Sequence, residues 1–155
     1  KPFAVGNTNT SKKIFFPRYK FFNKNLDLIP YTYYDEKTLL SQLKLDFKYR
    51  KNIKIIQKKL KLKKVKNLNL KIDLIKIDVN DNGLSVIKGL SKIIKRDKPA
   101  LIVETDSDIM KIYGHLKPFG FDKYFFSNNS KKFLRIKKQF PLNTYFLKKD
   151  HLSYN

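Results

Sequence analysis

The sequence predicts an α/β protein, and three features support that class. Two short apolar runs, at residues 74–79 and 100–104, have the length and composition of buried strands. Between them lies a segment whose apolar residues recur at helical spacing, with turn residues before it and a Lys-Pro pair after it. The chain has 155 residues, of which 41% are hydrophobic, and this is enough for one sizeable core.

Residues 1–70 are predicted to form a β-rich and irregular lead-in to the αβ part. Short strands are expected at residues 13–16 and 52–57, and a helical turn at residues 38–44. We expect Pro17 to end the first strand, because proline cannot donate to a strand ladder. In residues 58–68 lysine alternates with apolar residues, which predicts a half-exposed strand with a lysine face rather than a DNA-binding helix.

Residues 71–147 are predicted to form the αβ core, and residues 148–155 a tail. The first helix has its apolar stripe at Val86, Ile87, Leu90, Ile93 and Ile94. Ser107 can cap a second helix, which Gly120 ends. Further strands are expected at residues 121–126, 133–136 and 143–147. The order strand, helix, strand, helix, strand predicts parallel pairing with right-handed crossovers.

Two acidic residues occupy the carboxyl ends of successive predicted strands. Asp78 lies at the end of the first strand, and Glu104 ends the second. Ligands bind beyond these ends in parallel sheets, so both side chains are candidates for a functional site. Carboxylates at such positions also cap helices, and that interpretation stays open. Lys76, inside the first strand, can either reach the same cleft or pair with one of the two acids.

The chain is strongly basic, with 35 Lys and Arg against 13 Asp and Glu and a formal net charge of +22. Such a surface attracts nucleic acid, anionic lipid or phosphate. Tyr31, Tyr33 and Tyr34 could stack on bases, or they could pack within their own loop. However, few of the cations are the arginines that make bidentate contacts, and more than half of the residues belong to five types encoded by codons of A and T alone. We therefore expect only non-specific nucleic-acid binding through lysine charge, while a basic nucleic-acid-binding module stays an alternative.

The residue counts exclude several kinds of site. The chain has no cysteine, so it has no disulfide, cysteine nucleophile or Cys-based zinc site. His115 and His151 lie far apart, and no metal site is predicted. No apolar run approaches the roughly 20 residues that span a bilayer, so no transmembrane segment is predicted. The N-terminus has neither a Met nor a signal-peptide core, and we expect a cytoplasmic chain that begins inside a larger protein.

Three segments of the chain form a specific pattern. They read Ile-Asp-Leu-Ile-Lys-Ile-Asp-Val at residues 72–79, Leu-Ser-Val-Ile-Lys-Gly-Leu at 84–90 and Lys-Pro-Ala-Leu-Ile-Val-Glu at 98–104. This pattern resembles the FkbM family of S-adenosylmethionine-dependent methyltransferases. That family has a strand ending Lys-Ile-Asp-Val-Glu-Gly, a second Glu three residues after the first, a Leu-Lys-Gly helix and a strand ending in Glu. Ala-Val-Gly-Asn at residues 4–7 is similar to the family's Ala-Leu-Gly-Asp turn.

The resemblance implies a Rossmann-like methyltransferase sheet and methyl transfer to a hydroxyl group of a sugar, a glycolipid or a small metabolite. S-adenosylmethionine is the cofactor that it implies. It also implies that Asp78, Asn80 and Glu104 line the catalytic cleft. By the same resemblance, Gly6, Asn7 and Asp78 are the candidates for binding the cofactor.

The sequence departs from the family pattern in the loop after the first core strand. Asn80 stands where the family has its first Glu, Asp81 where it has Gly, and Gly83 where it has the second Glu. An amide cannot act as a base. A non-catalytic remnant or an interaction domain is therefore an alternative to an active enzyme.

The family places a Gly-rich cofactor loop ahead of the Ala-Val-Gly turn, and here only five residues precede Gly6. We therefore expect residues 1–155 to be a single partial methyltransferase domain that lacks its N-terminal half. The β-rich segment would then be inserted before the core strand. The strand at residues 74–79 would lack its usual neighbour and should present an unpaired apolar edge.

Overall fold

The computed structural model describes residues 4–46, 52–65, 68–80 and 82–153, and within them it contains three α-helices and two β-sheets. The elements are β1 (Ala4–Val5), β2 (Thr10–Phe21), β3 (Lys24–Asp27), α1 (Glu36–Asp46), β4 (Ile53–Lys63), β5 (Leu74–Ile77), α2 (Gly83–Asp97), β6 (Ala100–Glu104), α3 (Ile109–Leu116), β7 (Asp122–Ser127), β8 (Lys132–Arg135) and β9 (Asn143–Leu147). Short 3-10 turns cover Ile29–Tyr31, Lys117–Phe119 and Lys149–Leu152. The α/β class is therefore confirmed.

The chain divides into two compact units. The first comprises Lys1–Ala4 and Asn9–Leu62, and the second comprises Val5–Thr8 and Lys63–Asn155. No helix in the described ranges is long and apolar enough to cross a membrane.

The first unit is built on a sheet with the strand order β1-β4-β2-β3. Strand β2 pairs antiparallel with β3 on one side and with β4 on the other. The buried side chains of this unit include Phe16 and Leu62 from the sheet and Leu39 and Leu43 from α1.

Pro17 does not end its strand, and the sequence prediction was wrong at this point. Strand β2 continues to Phe21, and Pro17 lies opposite Ile55 of β4. The Pro17 carbonyl accepts a hydrogen bond from the Leu28 N–H at 2.9 Å, so its missing N–H also faces the β3 side. Since β3 ends at Asp27, the missing donor falls just past the end of that ladder. The pairing of β2 with β4 therefore loses no hydrogen bond at Pro17.

Two other elements of the first unit are longer than predicted. Helix α1 covers eleven residues rather than the expected turn at 38–44. Asp35 stabilises its start, because its Oδ2 accepts hydrogen bonds from the Thr38 N–H at 2.7 Å and the Thr38 hydroxyl at 2.9 Å. Strand β4 joins the predicted strand at 52–57 to the lysine-alternating segment, which is a strand as predicted, up to Lys63.

The second unit is built on a sheet with the order β5-β6-β9-β7-β8. The parallel pairing of β5 with β6 is confirmed. The expectation that β7 would extend this parallel set was wrong, because β9 lies antiparallel between β6 and β7. Thr144 and Phe146 of β9 are fully buried because this strand lies in the centre of the sheet.

The core of the second unit lies between α2, α3 and one face of this sheet. Ile87, Ile93 and Ile94 of α2 and Ile112 and Leu116 of α3 pack there with Leu101, Val103 and Phe146. The apolar stripe of the first predicted helix is confirmed. Asp108 rather than Ser107 occupies the N-cap position of α3.

Strand β5 lies at the edge of the five-stranded sheet. Among the strands that the structure describes, it pairs with β6 alone, and Leu74 at its start is exposed. The expected apolar edge is therefore present in the described part of the chain.

Candidate functional site

The carboxyl ends of β5 and β6 bring Asp78 and Glu104 together. The last paired residues of the two strands are Ile77 and Val103, so the next residue on each strand is one of the two acids. Each acid perturbs the pKa of the other, so their side chains lie close together. The structure therefore brings Asp78 and Glu104 together at one edge of the sheet, and we call them the carboxyl pair.

Lys76 completes this cluster from the same face of β5. Its Nζ lies 3.0 Å from Oδ2 of Asp78, which decides between the partners that the sequence left open. The side chains of Lys76 and Asp78 are 59% and 54% exposed. Asp78 thus stands between an ammonium group and a second carboxyl group, at an open edge of the sheet.

The two acids are shifted in opposite directions. The hydrogen bond from Lys76, followed by the one with Glu104, lowers the pKa of Asp78. The hydrogen bond to Asp78, then burial and the negative charge of Asp78, raise the pKa of Glu104. Glu104 therefore keeps its proton to a higher pH than an ordinary glutamate, while Asp78 ionises first.

Asn80 lies two residues beyond Asp78 in an uncommon backbone conformation. Its φ of 36° falls in the left-handed region, which asparagine adopts more readily than glutamate. The replacement of the family's Glu by Asn therefore agrees with the local backbone.

Gly83 begins α2 at a crowded position. A Cβ atom added there would lie 3.1 Å from Cδ1 of Ile112 and 3.4 Å from Oδ2 of Asp106. The space that a Glu side chain would need at this position is thus partly occupied by α3. Asn82, at the N-cap of α2, is buried and makes no side-chain capping hydrogen bond.

Gly6 and Asn7 pack against α2. The Gly6 N–H donates to the Lys63 carbonyl at 3.1 Å, and the Ser85 hydroxyl donates to Oδ1 of Asn7 at 3.3 Å. A Cβ added to Gly89 would lie only 2.2 Å from the Gly6 oxygen, so helix and turn meet at backbone distance. Gly6 and Gly89 therefore have a packing role. The cofactor role of Gly6 and Asn7 stays a prediction.

Sequence reasoning missed Asn143. It is paired with Glu104 across β6 and β9, which extends the row of polar residues from Asp78 through Glu104 to a third strand. Beside it, the hydroxyls of Thr105 and Thr144 are 2.9 Å apart. Local sequence carries no signal for this neighbour, since it depends on β9 lying next to β6.

An apolar hollow of about 120 Å³ lies in the first unit, lined by Leu40, Leu43, Ile53 and Ile55. The lining residues that the structure describes are all apolar and include none of the predicted site residues. The carboxyl pair is therefore the better candidate for chemistry.

In the second unit, polar side chains are thus grouped where adjacent parallel strands end, which is where ligands bind in α/β sheets. The methyltransferase FkbM domain matches residues 3–124, which is more than half of the chain, and the chain belongs to this family. Neither a curated protein nor a solved structure gives a significant match.

Proposed function

We propose that this chain supplies the acceptor side of a methyltransferase that modifies a hydroxyl group of a sugar, a glycolipid or a small metabolite. Membership of the FkbM family supports methyl transfer. The single observation that carries the proposal is the position of Asp78 and Glu104 at the ends of adjacent parallel strands, with the Nζ of Lys76 3.0 Å from Asp78. The proposal treats residues 1–155 as part of one domain, in which residues 1–70 lead into the αβ part.

In this proposal Asp78 binds the acceptor hydroxyl and would take its proton when a sulfonium donor, losing its C–S bond to the methyl group, passed that group to the oxygen and left as a neutral thioether. Lys76 keeps Asp78 ionised and oriented, because its ammonium group contacts the same carboxylate at 3.0 Å. Glu104, which follows the last paired residue of β6 as Asp78 follows that of β5, helps to place the hydroxyl beside Asp78. Asn80 contributes an amide that can orient a polar group but cannot take a proton.

The described residues do not by themselves fit S-adenosylmethionine, the donor that the family resemblance implies. Ligand sites enclose most of the surface of a small molecule. Here Lys76 and Asp78 are more than half exposed on an edge strand, so an adenosyl group placed beside them would meet one wall only. We therefore expect the 155-residue chain to bind this donor with a millimolar or weaker Kd, measurable by calorimetry.

The open edge of β5 is the place where the rest of such a site would attach. Parallel strands in α/β enzymes are normally buried between neighbours, whereas β5 exposes Leu74 and has one described neighbour. We propose that a strand from outside residues 1–155 pairs with this edge and brings the cofactor-binding residues with it.

A non-catalytic role is the second candidate, and the loop after β5 favours it. The two family glutamates are replaced at positions 80 and 83, where the backbone and the neighbouring side chain no longer suit glutamate. Adaptation of this kind is what loss of catalysis would permit.

One experiment separates these candidates. Transfer of a labelled methyl group to a panel of sugars, glycolipids and small alcohols is measured with the polypeptide that the gene encodes. Replacement of the proposed base, Asp78→Asn, should reduce the rate by roughly 100-fold or more. Asp73→Asn is the matched control, because Asp73 lies just before β5 and is highly exposed.

Two outcomes would contradict the catalytic proposal. An Asp78→Asn variant with an unchanged rate would remove the proposed base from the mechanism. Absence of transfer to every acceptor, in wild type and in an Asn80→Asp variant alike, would support the non-catalytic role. Aspartate is chosen at position 80 because it tolerates the left-handed backbone while it restores a carboxylate.

A further inference from the structure

The tip of the β2–β3 hairpin carries an exposed aromatic pair. Phe22 is 82% exposed, more than any other large hydrophobic side chain in the described residues, and Phe21 is 57% exposed. Their ring centroids lie 4.7 Å apart in an edge-to-face arrangement. A pair of phenylalanines held together in solvent gains little for folding, so its exposure calls for another explanation.

The strand register places further apolar groups beside this pair. Tyr19 is paired with Leu26 and Phe21 with Lys24, and side chains at paired positions lie on the same face. Leu26 is also exposed. One face of the hairpin end is therefore apolar with a lysine at its border, while Lys20 lies on the opposite face.

The backbone of the turn is unfavourable for the residue that it holds. Phe22 has a φ of 49° in the two-residue connection between Phe21 and Lys24. Two-residue hairpin turns favour glycine or asparagine at positive φ, and a bulky residue there is an outlier. Strained residues cluster at functional sites, so the exposed Phe22 is a candidate for a role outside the fold.

The charges around the tip complement an anionic surface. Arg18 donates to both carboxylate oxygens of Asp27, at 2.5 and 3.0 Å, so this acid is neutralised at the base of the tip. Between Arg18 and Asp27 in the sequence, residues 19–26 contain Lys20 and Lys24 and no acidic residue. Cationic groups flanking exposed aromatic and aliphatic side chains are typical of segments that bind the interface of anionic membranes.

We propose that the tip formed by residues 19–26 is a membrane anchor that inserts Phe21 and Phe22 into the interface of an anionic bilayer. The lysines contact lipid headgroups while the two rings and Leu26 leave water. This function is independent of methyl transfer, because it uses no residue of the carboxyl pair. Base stacking on nucleic acid explains the exposed Leu26 less well, since an aliphatic side chain offers no ring face.

The absence of tryptophan from the chain allows a direct test. A Phe22→Trp variant places a single fluorophore at the tip, and it is mixed with vesicles of phosphatidylcholine, with or without phosphatidylserine. We expect a blue shift of emission and quenching by brominated acyl chains, with the anionic vesicles only. Leu142→Trp is the control, because Leu142 is 71% exposed and belongs to the other unit, and its emission should not shift.

A second variant separates anchoring from folding. Phe22→Asn suits the positive φ, so its melting temperature should equal or exceed that of the wild type. Its affinity for anionic vesicles should fall by roughly tenfold, since one aromatic side chain no longer leaves water. Unchanged vesicle affinity in this variant, or an unshifted tryptophan on bound vesicles, would overturn the proposal and leave lysine charge as the only attraction. If single-stranded nucleic acid competed with the vesicles and abolished the blue shift, the nucleic-acid alternative would be favoured instead.

Discussion

The contact between Gly89 of α2 and the turn at Gly6 gives a sharp prediction, since it is a backbone contact that any side chain would break. In Gly89→Ala the new Cβ would lie 2.2 Å from the Gly6 oxygen, 2.6 Å from the Gly6 carbonyl carbon and 3.2 Å from the Asn7 nitrogen. Ordinary contacts between such atoms are near 3.5 Å, so the turn must retreat by roughly 1 Å or more. Retreat weakens the Ser85–Asn7 hydrogen bond and the one from Gly6 to Lys63.

The magnitude follows from three contributions. Overpacking costs about 1–3 kcal/mol, and the two weakened hydrogen bonds cost about 1 kcal/mol each at most. Alanine in place of glycine inside a helix returns about 1 kcal/mol. We therefore expect Gly89→Ala to lower the free energy of unfolding by roughly 2 kcal/mol.

The matched control is Gly114→Ala in α3. A Cβ added at Gly114 has no neighbour within 4 Å, so only the helix propensity changes and the variant should be more stable by about 1 kcal/mol. Urea unfolding followed by circular dichroism compares the two variants, and hydrogen exchange of the Gly6 amide reports on the turn itself. If Gly89→Ala proved as stabilising as Gly114→Ala, with the Gly6 amide still protected, the close backbone contact would be refuted.

Three further predictions concern the site and the core. Asp78→Asn should lower the pKa of Glu104 toward its ordinary value, since it removes the neighbouring carboxylate and its negative charge. A carboxyl NMR titration measures this pKa, and an unchanged value would show that the two acids do not interact. Leu101→Ala should lower the free energy of unfolding by about 2–5 kcal/mol, because the side chain is fully buried. Leu74→Ala on the exposed edge should lower it by well under half of that in the same urea assay. Equal losses would mean that the β5 edge is covered. Asp35→Ala should lower the free energy of unfolding by about 1 kcal/mol through the loss of the α1 cap. An unchanged midpoint of urea unfolding would argue against that cap.

The hairpin tip and the carboxyl pair differ in how far the sequence reveals them. Asp78 and Glu104 each end a segment whose apolar run predicts a buried strand, so their meeting follows from parallel pairing of two strands. The aromatic tip lies in a stretch where Tyr and Phe show no regular spacing. Only the register of β2 with β3 puts Tyr19 and Leu26 on one face and leaves Phe22 at the turn.

Apolar periodicity reports how each local segment is buried, so most elements of the second unit could be predicted from the amino-acid pattern. Strands β6 and β9 begin and end at the predicted residues, and the stripe of α2 faces the core as predicted. The choice of neighbouring strands could not be predicted in this way, since the same apolar pattern suits any central position in a sheet. For the same reason the insertion of β9 beside Glu104, the continuation of β2 through Pro17 and the contact of Gly6 with Gly89 depend on partners distant in sequence, which no local pattern encodes.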